Sequence, residues 1–365
     1  MKKNFRDAVA EEIIEKLENG TAPWQKPWQA DVPFNPTTNT PYKGMNSFWL
    51  EMAGYEDPRW MTYNQAKKSG AQVMKGSKSR SIEYWQWSTE HPILDENGKP
   101  IRDDEGKVQK QSVRLERPKV FHAALFNGSQ IEGLEPYKAP ALTFDPVAEA
   151  DLILEGTNVS IVHDQKDRAF YHRNEDVIHL PDRTAFKSAY EYYATALHEV
   201  GHATGSPNRM IREKGPFGSD LYAKEELMVE MASYMMSREL GLGHYPDRHA
   251  SYVDSWLNAI KEDKNYLFQA AQTSEKIRTW VMEPEKRMEL ERTTKLAHTH
   301  EREALEDNKS VVQGMDLTEE EKEIRLQKII QQEEALIENF QPVFDGYDAN
   351  PLSVHKPKLV DEITT

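Results

Sequence analysis

The chain begins with apolar residues at helical spacing: Phe5, Val9, Ile13, Ile14 and Leu17. Residues three and four apart share one face of an α-helix, so this pattern predicts an amphipathic helix over residues 4–18. Gly20 follows the last apolar position and predicts the end of that helix. A loop rich in proline and tryptophan then covers residues 21–41.

After this loop, some segments have apolar residues at helical spacing and others have them at the alternating spacing of strands. This mixture predicts an α+β region. Residues 45–52 predict a helix or an aromatic-rich turn, and residues 64–69 predict a short helix. Residues 81–88 and 113–126 predict strands. The polar, turn-rich residues 91–111 between the strands predict a hairpin or a flexible insertion.

The second half of the chain predicts a linker and then another folded region. Residues 131–146 contain three prolines, as a linker does. Strands are predicted at 159–162, 169–172 and 177–180, and helices at 147–155, 185–204, about 222–240, 248–262 and 264–282. The charged residues beyond 283 predict an extended helix or a helical pair, with a disordered end after about residue 345.

These elements predict an α+β protein with two domains. A small α+β domain covers residues 1–130, a linker covers 131–146, and a second domain covers 147–284. Residues 285–365 are predicted to be a charged helical extension with a disordered tail.

The composition is typical of a soluble protein, and the chain contains no cysteine. Of the 365 residues, 38% are hydrophobic and 29% are charged, and the mean hydropathy is -0.79. No stretch approaches the roughly 18 unbroken apolar residues of a membrane span, and the N-terminus lacks the apolar core of a secretory signal. We therefore expect a protein that is cytoplasmic, or delivered by a route other than ordinary secretion, with no membrane partner. Because cysteine is absent, a metal ion must be held by His, Asp or Glu.

The charge is spread unevenly between the two halves. The net charge of -15 argues against indiscriminate nucleic-acid binding by the whole molecule. Residues 1–130, however, carry 19 Lys and Arg against 17 Asp and Glu, whereas residues 131–365 carry 27 against 44. This asymmetry predicts two halves with different partners.

The motif HEVGH at residues 198–202 gives the second region its chemistry. On a helix, residues four apart lie on one face, so His198 and His202 can bind one metal ion together. Glu199 would take the proton from a zinc-bound water, whose pKa zinc lowers toward about 7. The rival interpretations are a chance occurrence on a charged helix and a zinc site without catalysis. The Gly-Ser-Pro stop at residues 205–207 favours the catalytic site, because the chain must turn back there to supply a third ligand.

A catalytic zinc site takes a third protein ligand and leaves one position for water. Glu226 and Glu230 are four residues apart on the next predicted helix. We predict Glu226 as the ligand and Glu230 as the carboxylate that accepts a hydrogen bond from the far nitrogen of a ligand histidine. Glu225 points about 100° away and is the weaker candidate. Tyr222 is a candidate catalytic helper for a tetrahedral intermediate, although a tyrosine at a helix start more often serves packing.

We expect one Zn²⁺ ion per chain at this site. Two histidines and one glutamate also accept Mn²⁺ or Co²⁺, so the sequence leaves the identity of the metal open. It also leaves the peptide substrate and the cleavage specificity open.

Residues 59–80 combine cations with aromatic rings and contain no acidic residue. Cations that neutralise phosphates, interleaved with rings on which bases stack, are typical of single-stranded nucleic-acid binding without sequence preference. The candidate DNA contacts are Arg59, Trp60, Tyr63, Lys67, Lys68, Lys75, Lys78 and Arg80. Other aromatic residues surround them: Phe48, Trp49, Tyr84, Trp85 and Trp87. The alternative is a small domain with an aromatic core and a solvated basic loop.

Several stretches resemble the antirestriction protein ArdC family of conjugative plasmids, and the N-terminal part of plasmid TraC-type primases. In the first half these are FRDAVAEEIIEKLENGTAPWQKPW, PFNPTTNTPYKGMN and WMTYNQAKKSGAQVMKGSKS. In the second half they are LPDRTAFKSAYEYYATALHEVGHATGSPNRM and FGSDLYAKEELMVEMASYM. The resemblance covers roughly residues 4–282. The tail from about residue 285 lies outside it.

The resemblance implies a single-stranded DNA-binding domain followed by a zincin-like metallopeptidase domain, which together protect incoming DNA from host restriction during conjugation. His198, Glu199 and His202 match the family's HExxH, and Glu226 and Glu230 match its EELxxE helix. Val229 departs mildly from the small residue expected there.

Three hypotheses follow for the function. The first is a zinc metallopeptidase tethered to DNA, acting on a protein of the host restriction system. The second is a protein that coats single-stranded DNA and has a structural zinc site. The third is an acidic DNA mimic that inhibits a restriction enzyme.

Overall fold

We describe the protein from a computed structural model. The described residues are 5–19, 32–95, 98–103, 105–139, 145–213, 215–216, 219–242, 253–315 and 317–340. Most of the proline- and tryptophan-rich loop and the end predicted to be disordered lie outside these residues.

The first half folds into three helices and seven strands among the described residues. The helices are α1 (Phe5–Glu18), α2 (Gly44–Glu51) and α3 (Tyr63–Lys68). The strands are β1 (Phe34–Asn35), β2 (Thr40–Pro41), β3 (Trp60–Thr62), β4 (Gln72–Val73), β5 (Arg80–Pro92), β6 (Lys110–Asn127) and β7 (Ile131–Glu132). The α+β pattern predicted for this half is confirmed.

A long antiparallel hairpin of β5 and β6 dominates this half, and β3 joins it in the order β3-β6-β5. Its register shifts between Gln86 and Ser88, where β6 has extra residues. The hairpin continues into the polar segment through bridges that pair Leu94 with Pro100 and Arg102 with Val108. A hairpin was one of the two structures predicted for that segment.

The second half consists of a small sheet and seven helices among the described residues. The strands are β8 (Ser160–Gln165), β9 (Phe170–His172) and β10 (Val177–Pro181). The helices are α4 (Pro146–Gly156), α5 (Ala189–Ala203), α6 (Asp220–Glu239), α7 (Val253–Glu262), α8 (Lys264–Met282), α9 (Pro284–Gly314) and α10 (Glu319–Phe340). In the sheet order β8-β10-β9, β10 is parallel to β8 and antiparallel to β9.

Helix α5 starts later than the predicted residue 185. Residues 183–185 form a short 3-10 helix instead, and the side chain of Asp182 accepts a hydrogen bond from the Thr184 amide. The α-helix begins only after Ser188, whose hydroxyl accepts from the Glu191 amide. Polar side chains that satisfy free amides of the first turn set this boundary, and the apolar period does not reveal it.

The two halves of the sequence share one hydrophobic core. The apolar face of α1, with Val9 and Ile13 fully buried, packs with residues of α2 and with α6, α7 and α8. Helix α6 supplies Leu227 and Met231 to this core. Because helices of the second half cover the apolar face of α1, the N-terminal region is not a separately packed body.

A second core lies on the other side of α6. Val229 and Met236 of α6 pack there with α4, α5 and the small sheet. Helix α6 therefore stands between the two cores and fixes α5 relative to the rest of the chain.

The residues after β6 and after α8 complete the fold. Ile131 of β7 is buried and pairs with Val73, so the first two residues of the predicted linker form a strand. Helices α9 and α10 contact each other as a helical pair, which is one of the two arrangements predicted beyond residue 283. Among the described residues, no helix is both long enough and apolar enough to cross a membrane.

Candidate functional site

Helix α5 carries both histidines of the HEVGH motif on one buried face. The side chains of His198 and His202 are only 10% and 8% exposed. Their ring centroids lie 4.9 Å apart, and their Nε2 atoms are 3.2 Å apart. The spacing of one helical turn thus brings the two rings together, as geometry requires.

Helix α6 brings Glu226 to the same point. Its Oε1 lies 3.5 Å from Nε2 of His202, and its Oε2 lies 3.8 Å from Nε2 of His198. One donor atom from each of the three side chains lies within 4.8 Å of the others. In the part of the chain that the structure describes, no other group of His, Asp and Glu meets that spacing.

This set of donors fits a divalent metal ion. Two nitrogen ligands on a tetrahedral zinc ion lie about 3.4 Å apart, close to the 3.2 Å between the two Nε2 atoms. Two facing ring nitrogens can share only one hydrogen bond. A metal ion bound by both nitrogens therefore accounts for their close approach better than a hydrogen bond between them does. Imidazole and carboxylate are ligands that zinc, manganese and cobalt accept.

The close approach of α5 to α6 depends on Gly201. A Cβ atom built at Gly201 would lie 2.8 Å from Cγ1 of Val229. Val229, which is larger than the residue expected there, fills the space beside this glycine and is fully buried. A side chain at residue 201 would push α6, and Glu226 with it, away from the histidines.

The far nitrogen of each imidazole faces a second carboxylate. Oε2 of Glu230 lies 3.5 Å from Nδ1 of His198, and Oε1 of Glu225 lies 3.5 Å from Nδ1 of His202. Carboxylates in such positions fix the tautomer of a ligand histidine and orient its ring. Glu225, the weaker candidate for a ligand, thus lies behind His202, on the side away from Glu226.

Arg212 holds Glu225 in place, and the sequence alone did not reveal it. Its Nε and Nη2 donate to the two carboxylate oxygens of Glu225 over 2.9 and 2.6 Å. It also donates to the carbonyl of Gly201 and to the hydroxyl of Thr204, at the end of α5. The only sequence signal is a cation shortly after the helix stop, which is too common to single out.

The loop that carries Arg212 has an unfavourable backbone at Ile211, where φ is +42°. A β-branched residue rarely adopts this conformation, and such strain persists only where the surroundings impose it. A Cβ atom at Gly205 would lie 2.9 Å from Nη2 of Arg212. The loop is thus shaped around the Arg212 side chain.

The charges around the two imidazoles favour a cation between them. Burial alone lowers the pKa of His202, but the Glu226 charge and hydrogen bonds to Glu225 and Glu226 outweigh it and raise that pKa to about 10. Burial also lowers the pKa of His198, and the carboxylates, Glu230 foremost, raise it overall. Burial raises the pKa of Glu226, whereas the two imidazoles and Tyr222 lower it to about 2. Glu226 is therefore ionised, as a metal ligand must be.

The two residues predicted to be catalytic border this cluster. Glu199 is 7% exposed, and its charge acts on both imidazoles. The Tyr222 side chain hydrogen-bonds Glu226. Both residues thus border the three converging side chains, and their catalytic roles stay predictions.

The fold uses three of the predicted DNA contacts for its own packing. Trp60 is 2% exposed in the first core, so the prediction that its ring stacks on a base is wrong. Arg59 donates to Asp57 and to the carbonyl of Glu135. The five candidates outside these three are therefore the part of the set that a DNA strand can reach.

Arg80 is the third of these residues. It donates to Glu12 over 2.7 Å and to the carbonyl of Trp49, and its guanidinium lies 3.9 Å from the Trp49 ring centroid. Like Arg59, it is part of the fold and is a weak candidate for a phosphate contact, contrary to the prediction.

The other five candidates are exposed. Tyr63 is 45% exposed, and Lys67, Lys68, Lys75 and Lys78 lie at the surface. Tyr63 and the first two lysines belong to α3, which a reciprocal Thr62–Gln65 capping box starts. These lysines form a surface that can meet phosphates.

Comparison with known proteins decides the family. Residues 3–121 match the model of the N-terminal domain of anti-restriction factor ArdC, and residues 148–273 match that of a zincin-like metallopeptidase. A crystal structure of the antirestriction protein ArdC from plasmid R388, without metal, is 34% identical with a TM-score of 0.62. The match covers 77% of this chain and 97% of that protein. The chain belongs to the ArdC family.

A second crystal structure of R388 ArdC contains Mn(II). It is 32% identical, has the same TM-score of 0.62, and matches 77% of this chain and 98% of that protein. The zincin-like domain and this manganese-bound relative agree with a divalent metal site in the ArdC fold.

Other relatives include proteins larger than this ArdC-family chain. Two Escherichia coli proteins named DNA primase TraC are 49% and 48% identical over 81% and 77% of this chain. The match covers only 29% and 20% of their own lengths, so the chain corresponds to less than a third of either one. The uncharacterized protein y4eC of Sinorhizobium fredii is 30% identical over 75% of this chain and 90% of its own length.

Proposed function

We propose that this ArdC-family protein is a zinc-dependent peptidase that also binds single-stranded DNA. The observation that carries the enzymatic half is the convergence of His198, His202 and Glu226 within 4.8 Å, with Glu199 buried beside them. Zinc is the metal we expect, and Mn²⁺ and Co²⁺ fit the same ligands.

The side chains of this site divide the chemistry between them. His198, His202 and Glu226 would hold the ion, which when bound polarises a peptide carbonyl and makes water more acidic. A carboxylate oxygen of Glu199 accepts the proton of the attacking water and later gives it to the departing amine nitrogen. The Tyr222 hydroxyl, held near Glu226, is placed to donate to an oxyanion.

We assign DNA binding to residues 1–130 and catalysis to residues 147–284. Support for the first part comes from the match to the ArdC N-terminal model and from the exposed lysines of residues 67–78. Such binding neutralises phosphates without reading bases, so it should tolerate any sequence and weaken strongly with salt.

The biological role that fits both halves is protection of incoming plasmid DNA from restriction. The protein would be brought to single-stranded DNA by its first half. The second half would then act on a protein met there, with a component of the host restriction system as the candidate substrate.

The test is the Glu199→Gln variant in the full-length chain, with Glu191→Gln on the same helix as the matched control. We expect Glu199→Gln to abolish protein cleavage and protection of unmodified plasmid DNA, while metal content and binding to oligothymidine stay at wild-type levels. The Glu191→Gln variant should keep all four. Full protection by Glu199→Gln would contradict the peptidase and leave a protein that coats DNA.

The full chain is needed for this test because of the shared core. A fragment of residues 1–130 would expose the apolar face of α1 that α7 and α8 cover. Failure of that fragment to bind DNA would therefore report on folding as much as on DNA contacts.

A further inference from the structure

The β5–β6 hairpin carries a ladder of paired residues that leads from the core to the surface. From the core outward, its rungs are Ile82–Ala123, Tyr84–Phe121 and Gln86–Lys119. Alternate residues of a strand point to the same face, so these three rungs share one face of the sheet. Ile82 is 6% exposed and belongs to the first core, whereas the next rungs lie at the surface.

The middle rung is a pair of stacked aromatic rings open to solvent. The ring centroids of Tyr84 and Phe121 are 5.2 Å apart and their planes differ by 16°. Tyr84 is 49% exposed and Phe121 is 38% exposed. Aromatic rings normally gain stability by leaving water, so an exposed stacked pair on a sheet points to a binding surface.

The neighbouring Trp85 shows the contrast. It follows Tyr84 in the strand and so lies on the opposite face. Its Nε1 donates to Glu83 over 2.6 Å, and the guanidinium of Arg6 lies 5.3 Å from its ring centroid. Trp85 is thus tied to α1, whereas the Tyr84–Phe121 pair lies on the face that carries Ile82, past the edge of the core, and is open to solvent.

The charge of β6 suits a polyanion. This strand contains four basic residues, Lys110, Arg114, Arg117 and Lys119, and the single acid Glu116. Lys119, on the rung next to the aromatic pair, is exposed. The register shift between Gln86 and Ser88 lies just beyond this rung, and such irregularities bend a strand and change the aim of its side chains.

From this geometry we propose that Tyr84 and Phe121 are the surface on which bases of single-stranded DNA stack, with Lys119 contacting the adjoining phosphate. The inference rests on the proposed DNA binding and adds a stacking surface on the hairpin to the exposed candidates of residues 59–80. Trp60 cannot stack on a base because it is buried. Strand β3 pairs with the end of β6 and leads directly into α3, so Lys67 and Lys68 follow a strand of the sheet that carries the aromatic pair.

The chemistry favours single strands over duplex DNA. In a duplex both faces of a base are already stacked, whereas a single strand offers its bases to aromatic side chains. Because every base has a π-face, this contact is tolerant of sequence.

The experiment measures binding of fluorescein-labelled oligothymidine to the full-length protein by fluorescence anisotropy. We expect Tyr84→Ala/Phe121→Ala to weaken binding by roughly 5- to 150-fold, the range for loss of one base stack. The ring-preserving Tyr84→Phe/Phe121→Tyr variant should bind like the wild type. Lys119→Ala should lower the slope of log K against log salt by about 0.7, the effect of one lost phosphate contact on a single strand.

The matched control is Val113→Ala/Val120→Ala, two side chains of the same hairpin that are 40% and 46% exposed. Its affinity should not change, and circular dichroism should show the same fold and melting temperature for all variants. If the wild type binds and the double alanine variant binds equally well, the inference is overturned. Light scattering tests whether the wild type is a dimer. If Tyr84→Ala/Phe121→Ala makes such a dimer monomeric without loss of DNA binding, the pair is a self-association contact and the inference is also overturned. If the wild type itself does not bind oligothymidine, the proposed DNA function fails as well.

Discussion

The metal centre on α5 and α6 and the basic segment of residues 59–80 differ in how the fold uses their charged side chains. At the metal centre, charged and titratable residues face one another in a series that runs from Arg212 through Glu225 and His202 to Glu226. In the basic segment, Arg59 and Arg80 pair within the fold while four lysines extend into water. The spacing of residues on a helix predicts which side chains meet in space. The composition of a segment predicts only which residue types are present and not which of them are exposed.

The difference has a physical cause. A helix places residues four apart on the same face whatever surrounds it, so a motif on a helix carries its own geometry. A segment that alternates between short strands, turns and a short helix has no single period. There, burial is decided by packing against distant residues, as Trp60 shows in a core that includes Leu227 of α6 and Leu267 of α8.

Removal of both histidines should have the largest effect. His198→Ala/His202→Ala leaves one of the three converging donors, so we expect no measurable zinc or manganese uptake by mass spectrometry of dialysed protein. His179→Ala is the control, because His179 pairs with Asp164 on the small sheet, away from this cluster. Equal metal content in the double variant and the wild type would place the ion elsewhere.

Arg212→Met should weaken metal binding without removing a ligand. It leaves Glu225 buried without its cation, and Glu225 then no longer orients His202. We expect a 10- to 100-fold loss of metal affinity, about the range for residues behind a metal ligand, measured by competition with a chelator. Arg209→Met is the matched control, because Arg209 also holds the end of α5 through the Ala203 carbonyl but pairs with Asp176. If both variants lose the same affinity, Arg212 acts only through the stability of the loop.

Gly201→Ala should have a smaller effect that acts through packing. Overpacking against Val229 costs about 1–3 kcal/mol, partly offset by the roughly 1 kcal/mol that alanine gains over glycine in a helix. The free energy of unfolding from urea titration of metal-free protein measures the net loss. Adding Val229→Ala should restore part of it, and a strictly additive double variant would show that the two residues do not interact.

Lys67→Ala/Lys68→Ala should have the smallest effect, a change in the salt dependence of DNA binding. It tests the basic segment, as the preceding variants test the metal centre. Each lost phosphate contact lowers the salt slope of single-stranded DNA binding by about 0.7, while the melting temperature stays unchanged. Arg59→Ala should instead lower the melting temperature and leave the salt slope unchanged, because Arg59 is paired with Asp57 in the fold. Oligothymidine titrations at several salt concentrations, with thermal melts of each variant, distinguish the two. A fall in the salt slope for Arg59→Ala alone would invert the assignment.

The sequence predicted most of the helices and the converging residues of the metal centre, because both follow from the helical period. Glu226 and Glu230 were found by the same reasoning, since α6 repeats the one-turn spacing. Arg212 was missed because it lies in an irregular loop, where no period relates it to Glu225. The start of α5 was missed because Ser188 and Asp182 act through hydrogen bonds to local amides.

The predicted DNA contacts show what the sequence could not predict, namely which of these side chains are exposed. Charge and aromatic content gave the right kind of segment, and the exposed lysines agree with it. The burial of Trp60, by contrast, depends on packing within a core that also includes α6 and α8, far along the chain. No local pattern contains that information, which is why the sequence could not separate Trp60 from Tyr63.

The most direct test of the metal centre is an anomalous difference map, at the zinc absorption edge, from crystals of the full-length chain grown with zinc. We expect one strong peak at about 2.0–2.2 Å from Nε2 of His198, Nε2 of His202 and a carboxylate oxygen of Glu226. A zinc peak bound elsewhere, with those three side chains left without an ion, would contradict the account.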